Sequence, residues 1–251
     1  MTGPALSPGE WAVAGLAAVC IGLSKSGFGG VGIVAIVGMA AILPPRESTG
    51  TILPMLICAD VFAVWQFRRH VQWRYVFRTA IPAILGVLAG FWLMPAISDA
   101  AFGPFIGWLT LALIGMLILL KANAFLRNLP LRYPAVFGWP MGFLAGATTM
   151  LANAAGPVMS VYLLASRLPK MEFVGTAAWF FFAINLFKVP FSAALGLIHP
   201  QSLTLNLCLL PGVVAGVFLG KLLLGKISQT FFEWLMLGFA ILGGLKLVIF
   251  G

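Results

Sequence analysis

The chain has 251 residues, of which 61% are hydrophobic and only 8% are charged, and its mean hydropathy is +1.07. Soluble globular domains carry about 25% charged residues, so the composition excludes that class and predicts an all-α polytopic membrane protein. The apolar segments are continuous runs of about 20 residues rather than alternating strands of about ten, which excludes a membrane β-barrel. The net charge of +9 does not indicate nucleic-acid binding, because the basic residues lie at the ends of apolar runs.

The first apolar region is interrupted by a stretch rich in glycine and serine at residues 22–32. The apolar runs on either side, 11–23 and 31–43, would each cover about 20 Å as helix, short of the ~30 Å hydrocarbon core. Non-helical backbone at this depth occurs only where it is buried in protein or lines a wet cavity. Its free N–H groups attract anions. The stretch therefore predicts half of an anion site in a transporter.

The remaining apolar runs divide into two similar halves. A second interruption, at 151–157, separates the apolar runs 136–150 and 158–168. Full membrane spans are predicted at 49–67, 76–97, 102–120, 175–197, 203–224 and 231–250. These elements predict an N-terminal repeat at 1–121, a cytoplasmic linker at 122–135 and a C-terminal repeat at 136–251.

The two halves also match residue by residue. A shift of 125 residues places Glu47 on Glu172 and Asp60 on Asn185. A shift of 130 residues places the glycine pair Gly86-x-x-x-Gly90 on the pair at 216 and 220. The ordered recurrence of these residues indicates an internal duplication.

The distribution of basic residues separates two membrane topologies. If each interrupted segment crosses the membrane once, the basic residues divide seven against five between the two sides. If each is a re-entrant hairpin, eleven basic residues lie on one side and only Arg46 lies on the other. The positive-inside rule favours the second arrangement. It predicts two inverted repeats, each a broken, re-entrant helical hairpin followed by three transmembrane helices, with both termini outside.

Lys25 is the first candidate anion ligand, because a lysine within the membrane is costly and usually functional. The alternative is a lysine that extends from the tip of a hairpin to the nearer membrane surface. The neighbouring hydroxyls and glycine N–H groups would complete this half of the site: Ser24, Ser26, Gly27, Gly29 and Gly30.

The second interruption supplies neutral candidates for the same anion. Asn153 is the central one, and its alternative role is to cap the helix that follows. The other candidates are Thr148, Thr149, Gly156 and Asn185.

Asp60 and Lys188 are the remaining ionisable residues well inside predicted spans. Asp60 is either a proton-coupling group or the partner of Lys25 or Lys188 in a structural ion pair, and we favour the ion pair. Glu47 and Glu172 lie at the starts of spans, where a carboxylate interacts favourably with the helix dipole.

The sequence contains few residues that could form a metal site, a catalytic site or a nucleotide-binding site. His70 and His199 lie in loops on opposite faces, so no metal site is expected. No serine or cysteine has a histidine to activate it, and there is no Walker A sequence. We therefore expect neither an enzyme nor a bound cofactor.

The motif Gly22-Leu-Ser-Lys-Ser-Gly-Phe-Gly-Gly30, the following Pro-Pro-Arg-Glu at 44–47 and the Asn-Leu-Phe-Lys at 185–188 resemble the TauE/SafE sulfite exporter family. The Asn-Ala-Ala-Gly-Pro of the second interruption, at 153–157, is also typical of that family. The resemblance covers nearly the whole chain. It implies export of sulfite, sulfoacetate or a related organosulfur anion from the bacterial cytoplasm.

The expected protein is thus a multi-pass secondary carrier in the bacterial inner membrane, with a small anion as its substrate. An anion channel, a proton-coupled importer of another small anion and a carrier of a cation or metal remain as alternatives. The scarcity of carboxylates within the membrane argues against cations. Both a monomer and a homodimer are compatible with the sequence, since the Gly-x-x-x-Gly pairs serve packing within or between chains.

Overall fold

The computed structural model describes residues 6–28, 31–98 and 134–228, with isolated residues between 101 and 115 and between 231 and 249. The predicted linker and the third full span of each half therefore lie largely outside the described residues, as do Gly29 and Gly30. What is described is α-helical with short 3-10 turns, and it contains no strand. The prediction of an all-helical protein is confirmed.

The continuous described ranges contain eight α-helices. These are α1 (Pro8–Lys25), α2 (Val31–Ile42), α3 (Pro45–Phe67), α4 (Trp73–Leu93), α5 (Pro134–Ala152), α6 (Ala155–Ala165), α7 (Lys170–Ala194) and α8 (Pro200–Lys226). Single 3-10 turns, Arg68–His70 and Met94–Ala96, follow α3 and α4.

Four of the described helical stretches are long and apolar enough to cross a membrane: Glu47–His70, Trp73–Ala96, Lys170–Ala194 and Pro200–Lys226. They coincide with the first two full spans predicted in each half. All four helices begin a few residues before the predicted apolar run. Three of them follow or start with a proline, whose fixed φ suits a helix start. Glu47 and Glu172 lie in the first turns of α3 and α7, as predicted.

Each short helix pair folds back on itself. Along α2, Gly32 lies against Ser24 and Gly38 lies against Val13, so α2 runs antiparallel to α1. In the second half, the ring of Tyr162 in α6 packs against Phe137 and Gly138 at the start of α5. The turns of the two hairpins therefore lie at the positions of the two sequence interruptions.

The helix that ends the described part of each half packs against the hairpin of the other half. Gly86 of α4 contacts the backbone of α5 at Phe143, and Gly216 of α8 contacts the backbone of α1 at Val19. Residues without a side chain allow this close approach, which is the usual basis of helix packing in membranes. Between these two pairs, α3 packs against α7, and this contact brings the ends of both hairpins together.

A substitution at Gly22 of α1 tests this packing. A Cβ atom at Gly22 would lie 2.1 Å from the carbonyl oxygen of Val213 in α8, so we expect Gly22→Ala to lower the free energy of unfolding by about 1–3 kcal/mol. Gly15→Ala is the matched control on the same helix, because nothing lies within 4 Å of its Cβ position. Thermal unfolding in detergent compares the two variants. Equal midpoints would contradict the close packing of α1 on α8.

Candidate functional site

Each interruption contains a described residue with a positive φ. Gly27 has φ 108° and Asn153 has φ 54°, and both values are positive. Glycine reaches this region without steric cost, and asparagine is one of the few other residues that tolerate it. The chain can therefore leave α1 and α5 and start α2 and α6 within a few residues.

Lys25 occupies the last turn of α1 and is buried, with 9% of its surface exposed. Its Nζ lies 2.8 Å from Asp60 Oδ1 in α3. The same nitrogen lies 4.4 Å from the centroid of the Phe181 ring in α7, a cation–π distance. The ammonium is thus held between a carboxylate of the first half and an aromatic ring of the second half.

Asp60 and Asn185 contact each other directly. Asn185 Nδ2 donates to Asp60 Oδ2 over 2.6 Å, and both side chains are fully or almost fully buried. The two residues are 125 positions apart, which is the shift that relates the two halves. The prediction placed them on matching positions, and the structure adds that these positions meet.

Lys188 ties the second interruption to α7. Its Nζ donates to the carbonyl oxygen of Thr149 over 2.8 Å, to Thr149 Oγ1 over 3.2 Å, and also to Asn153 Oδ1. Asn153 Nδ2 in turn donates to the carbonyl oxygen of Thr49 over 2.9 Å. An ammonium has three N–H donors, and these contacts occupy all of them.

The predicted capping role of Asn153 is not observed. The residue that caps α6 is Ala154, and it makes no side-chain hydrogen bond to the helix. Asn153 lies one residue earlier, and its amide is engaged with Lys188 and Thr49. The side chain therefore joins α3, α7 and the second hairpin.

Two cavities lie beside these groups. The larger, of about 40 Å³, is lined by residues of both hairpins and of α3 and α7, among them Lys25, Thr149, Asn153 and Asn185. The smaller, of about 20 Å³, is lined mainly by α6 and by the first turns of α7. A single water needs about 10–15 Å³ on this scale, so the larger cavity has room for a few waters or a small oxyanion.

Most of the predicted site residues converge on these cavities. Ser24, Lys25 and Gly156 line both of them, and Gly27 lines the smaller one. The first turns of α2 and α6 also face the larger cavity, through Gly32 and Gly156. The N–H groups of a helix's first turn lack partners within the helix and carry partial positive charge.

Ser26 and Thr148 do not join the site. The hydroxyl of Ser26 is fully buried and donates to the carbonyl oxygen of Val217 in α8 over 2.7 Å. The hydroxyl of Thr148 donates back to Leu144 within α5, also over 2.7 Å. Both hydroxyls thus satisfy backbone carbonyls. Gly29 and Gly30 lie outside the described residues.

The site contains more basic than acidic side chains. It contains two lysines, Lys25 and Lys188, and one carboxylate, Asp60. Lys25 lies at ion-pair distance from Asp60, and no carboxylate whose side chain the structure describes lies that close to Lys188. Asp60 is thus the carboxylate partner of Lys25, and the second lysine of this group is held by neutral oxygens.

Two contributors to the site were not predicted. Phe181 lies within a run of three phenylalanines, Phe180–Phe182, so composition alone does not distinguish it. Its position four residues before Asn185 was the available signal, because residues four apart share a helix face. Thr49 contributes its backbone carbonyl, and a sequence gives no sign of such a role.

The comparison with known families agrees with this architecture. Residues 14–247, nearly the whole chain, match the family described as Sulfite exporter TauE/SafE. The chain belongs to this family. The resemblance drawn from the sequence motifs is thereby confirmed. No curated protein and no solved structure matches the chain.

Membership of the TauE/SafE family, together with the four apolar helices, makes the chain a multi-pass membrane transporter. The family is one of transporters, which is consistent with a protein that is not an enzyme. Within this TauE/SafE protein, the described residues that combine buried charge with a cavity are those at the two interruptions.

The Lys25–Asp60 pair can be tested by a double-mutant cycle. Removing one member of a buried ion pair strands the other charge and costs about 3–5 kcal/mol, so Asp60→Asn should lower the thermal unfolding midpoint strongly. Adding Lys25→Met to Asp60→Asn should recover part of that loss, because the stranded ammonium is then absent. The exposed Lys221→Met serves as the control substitution. Additive effects of the two substitutions would contradict the pairing.

Proposed function

We propose that this TauE/SafE protein exports a small sulfur-containing oxyanion, such as sulfite, sulfoacetate or a related organosulfonate, across the bacterial inner membrane. The family match supports the substrate class. The anion would bind at the larger cavity, between the ends of the two hairpins. Its ligands would come from Lys25 and the first-turn N–H groups of α2 and α6. Ser24 lines the cavity, but its hydroxyl donates to the carbonyl oxygen of Ile21 over 2.7 Å.

This proposal rests on the hydrogen bonds that the Lys25 ammonium makes and those that it leaves open. Among the described residues, its polar contact is Asp60 Oδ1. The Phe181 ring attracts the positive charge but does not accept a conventional hydrogen bond. Two of its three N–H donors are thus available to a ligand in the cavities that Lys25 lines. Lys188 has its donors occupied by Thr149 and Asn153, so we assign it a positioning role.

Charge supports the same conclusion. With Lys25 and Lys188 protonated and Asp60 ionised, the three groups carry a net charge of +1, from two positive charges and one negative. Burying an uncompensated charge is costly, and an opposite charge at close range reduces that cost. A monoanion bound beside Lys25 would bring the site to neutrality, whereas a cation would raise its charge.

Several contacts support the proposed inverted arrangement of repeats 1–121 and 136–251, joined by the linker 122–135. The antiparallel course of each hairpin is what a re-entrant segment requires. The direct contact of Asp60 with Asn185 is expected where a pseudo-two-fold axis passes between matched positions. Inverted repeats whose broken helices meet near the midplane are a recurrent transporter plan.

Export of an anion needs no coupling ion. Moving one negative charge out of a negative interior releases about 2.3 kcal/mol per 100 mV of membrane potential, and a dianion gains about twice as much. A uniporter that rocks one half against the other would suffice. Separate cavities on either side of Lys25 favour such a carrier over an open channel.

The substrate class is tested by thermal stabilisation of the purified protein with sulfite, sulfate, thiosulfate, sulfoacetate, taurine, phosphate and chloride. A ligand at about 100 times its dissociation constant adds about 2.7 kcal/mol to the stability of the folded state. We expect a selective shift with a sulfur oxyanion and none with the others. A protein stabilised by no anion would contradict the proposal.

Substitutions test whether the anion that shifts the unfolding midpoint binds beside Lys25. Lys25→Ala should abolish it, and exposed Lys221→Ala should preserve it. Because Lys25→Ala strands Asp60, the same measurement is repeated on the double variant Lys25→Met with Asp60→Asn, which removes both members of the pair and leaves the net charge of the site unchanged. An undiminished shift in that double variant would sink the assignment to Lys25.

The proposed topology is tested by labelling single cysteines in a chain whose native cysteines are replaced. His70 follows α3 and His199 precedes α8, and both are exposed. We expect His70→Cys to react with an impermeant thiol reagent from the cytoplasmic side only, and His199→Cys from the opposite side only. Reaction of both from one side would rule out the inverted arrangement.

A further inference from the structure

The two cavities meet at a small set of shared residues. Four described residues line both cavities: Ser24, Lys25, Gly156 and Phe181. Two of these are small, and Lys25 is held by Asp60. The Phe181 ring is therefore the bulky group that separates one cavity from the other.

The cavities extend toward opposite ends of the helix bundle. The larger one reaches Ile52 in α3, two residues after Gly50, which packs against Leu197 just beyond the end of α7. The smaller one reaches Phe173 and Val174 in α7. These residues precede Gly175, which packs against His70 at the basic end of α3.

Phe181 is connected to the Lys25–Asp60 ion pair both through its ring and through its helix. The Lys25 ammonium lies 4.4 Å from its ring centroid, and a cation over a desolvated ring is attracted by the ring quadrupole. One turn further along α7, Asn185 holds Asp60, which in turn holds Lys25. The face of α7 that carries the ring is thus linked to the ion pair by a continuous set of contacts.

We propose that Phe181 is the gate between the two cavities, closed by its contact with Lys25 and released when an anion takes that ammonium. This inference rests on the proposed function. An oxyanion beside Lys25 competes for the same positive charge and is repelled by the negative face of the ring. Bound anion and closed ring therefore disfavour each other, and that differential affinity shifts the population toward an open passage.

A substrate-independent experiment tests the gate. In a chain with Cys20, Cys58 and Cys208 replaced by alanine, Ile52→Cys reports on the larger cavity. The probe is 2-(trimethylammonium)ethyl methanethiosulfonate, an impermeant thiol reagent that carries no anionic group, applied to oriented vesicles from the side that bears His70. With Phe181 present, we expect slow labelling from that side.

Phe181→Ala should raise this labelling rate by about tenfold or more, equivalent to about 1.4 kcal/mol. Phe181→Tyr keeps a ring over Lys25 and should label as slowly as the parent. Phe182→Ala is the matched control, because the neighbouring side chain is similarly half-buried and lines neither cavity. If Phe181→Ala does not fold, Phe181→Val, which also opens space beside Lys25, carries the same expectation.

An unchanged labelling rate in folded Phe181→Ala or Phe181→Val would overturn the gate, as would an equal rise in Phe182→Ala. The labelling needs no substrate, so it stands even if no sulfur oxyanion stabilises the protein. Failure of the proposed substrate would instead appear in the stabilisation series.

Discussion

Among the described helices, α1 and α5 end inside the protein, and the structure depends on how those ends are compensated. The last carbonyls of a helix lack partners within the helix and carry partial negative charge. Lys25 places an ammonium in the last turn of α1. In the second half, Lys188 donates to the Thr149 carbonyl in the last turn of α5. Each lysine thus offsets a negative helix end within the fold, while the positive first turns of α2 and α6 remain beside the larger cavity.

The two halves compensate these helix ends in different ways. In the first half the cation lies on the hairpin and its partner, Asp60, lies on the long helix α3. In the second half the cation lies on the long helix α7, and its acceptors, Thr149 and Asn153, belong to the second interruption. The exchange leaves only one carboxylate for two ammonium groups in the described site. Under the proposed function, this asymmetry between duplicated halves is what gives the site its affinity for an anion.

Most of the fold could be predicted from the sequence. Continuous apolar runs indicate the long helices, and the clusters of glycine and small polar residues indicate where α1 and α5 end. The interruptions proved shorter than predicted, since α1 continues to Lys25 and α6 resumes at Ala155. Helical hydrogen bonding persists wherever residues tolerate it, and in the second interruption Asn153, with its positive φ, stands between α5 and α6.

The site could be predicted only in part. Residue type drew attention to Lys25, Asp60 and Asn185, because charge and amide groups are rare in apolar spans, and the structure brings these three side chains together. It did not separate Ser24, which lines the cavities, from Ser26, which faces α8. That difference depends on the direction of each side chain around α1 and on the neighbour it meets. The sequence alone does not show how α8 packs on α1, so it does not contain this information.

The central claim is that an oxyanion binds beside Lys25, between the two hairpins. The most direct measurement is a crystal structure of the protein soaked with selenite, whose selenium locates the bound anion by anomalous scattering. The account predicts an anomalous peak in the larger cavity, with a selenite oxygen at hydrogen-bond distance from Lys25 Nζ. A peak only at the basic loop around His70, or none within the hairpins, would contradict it.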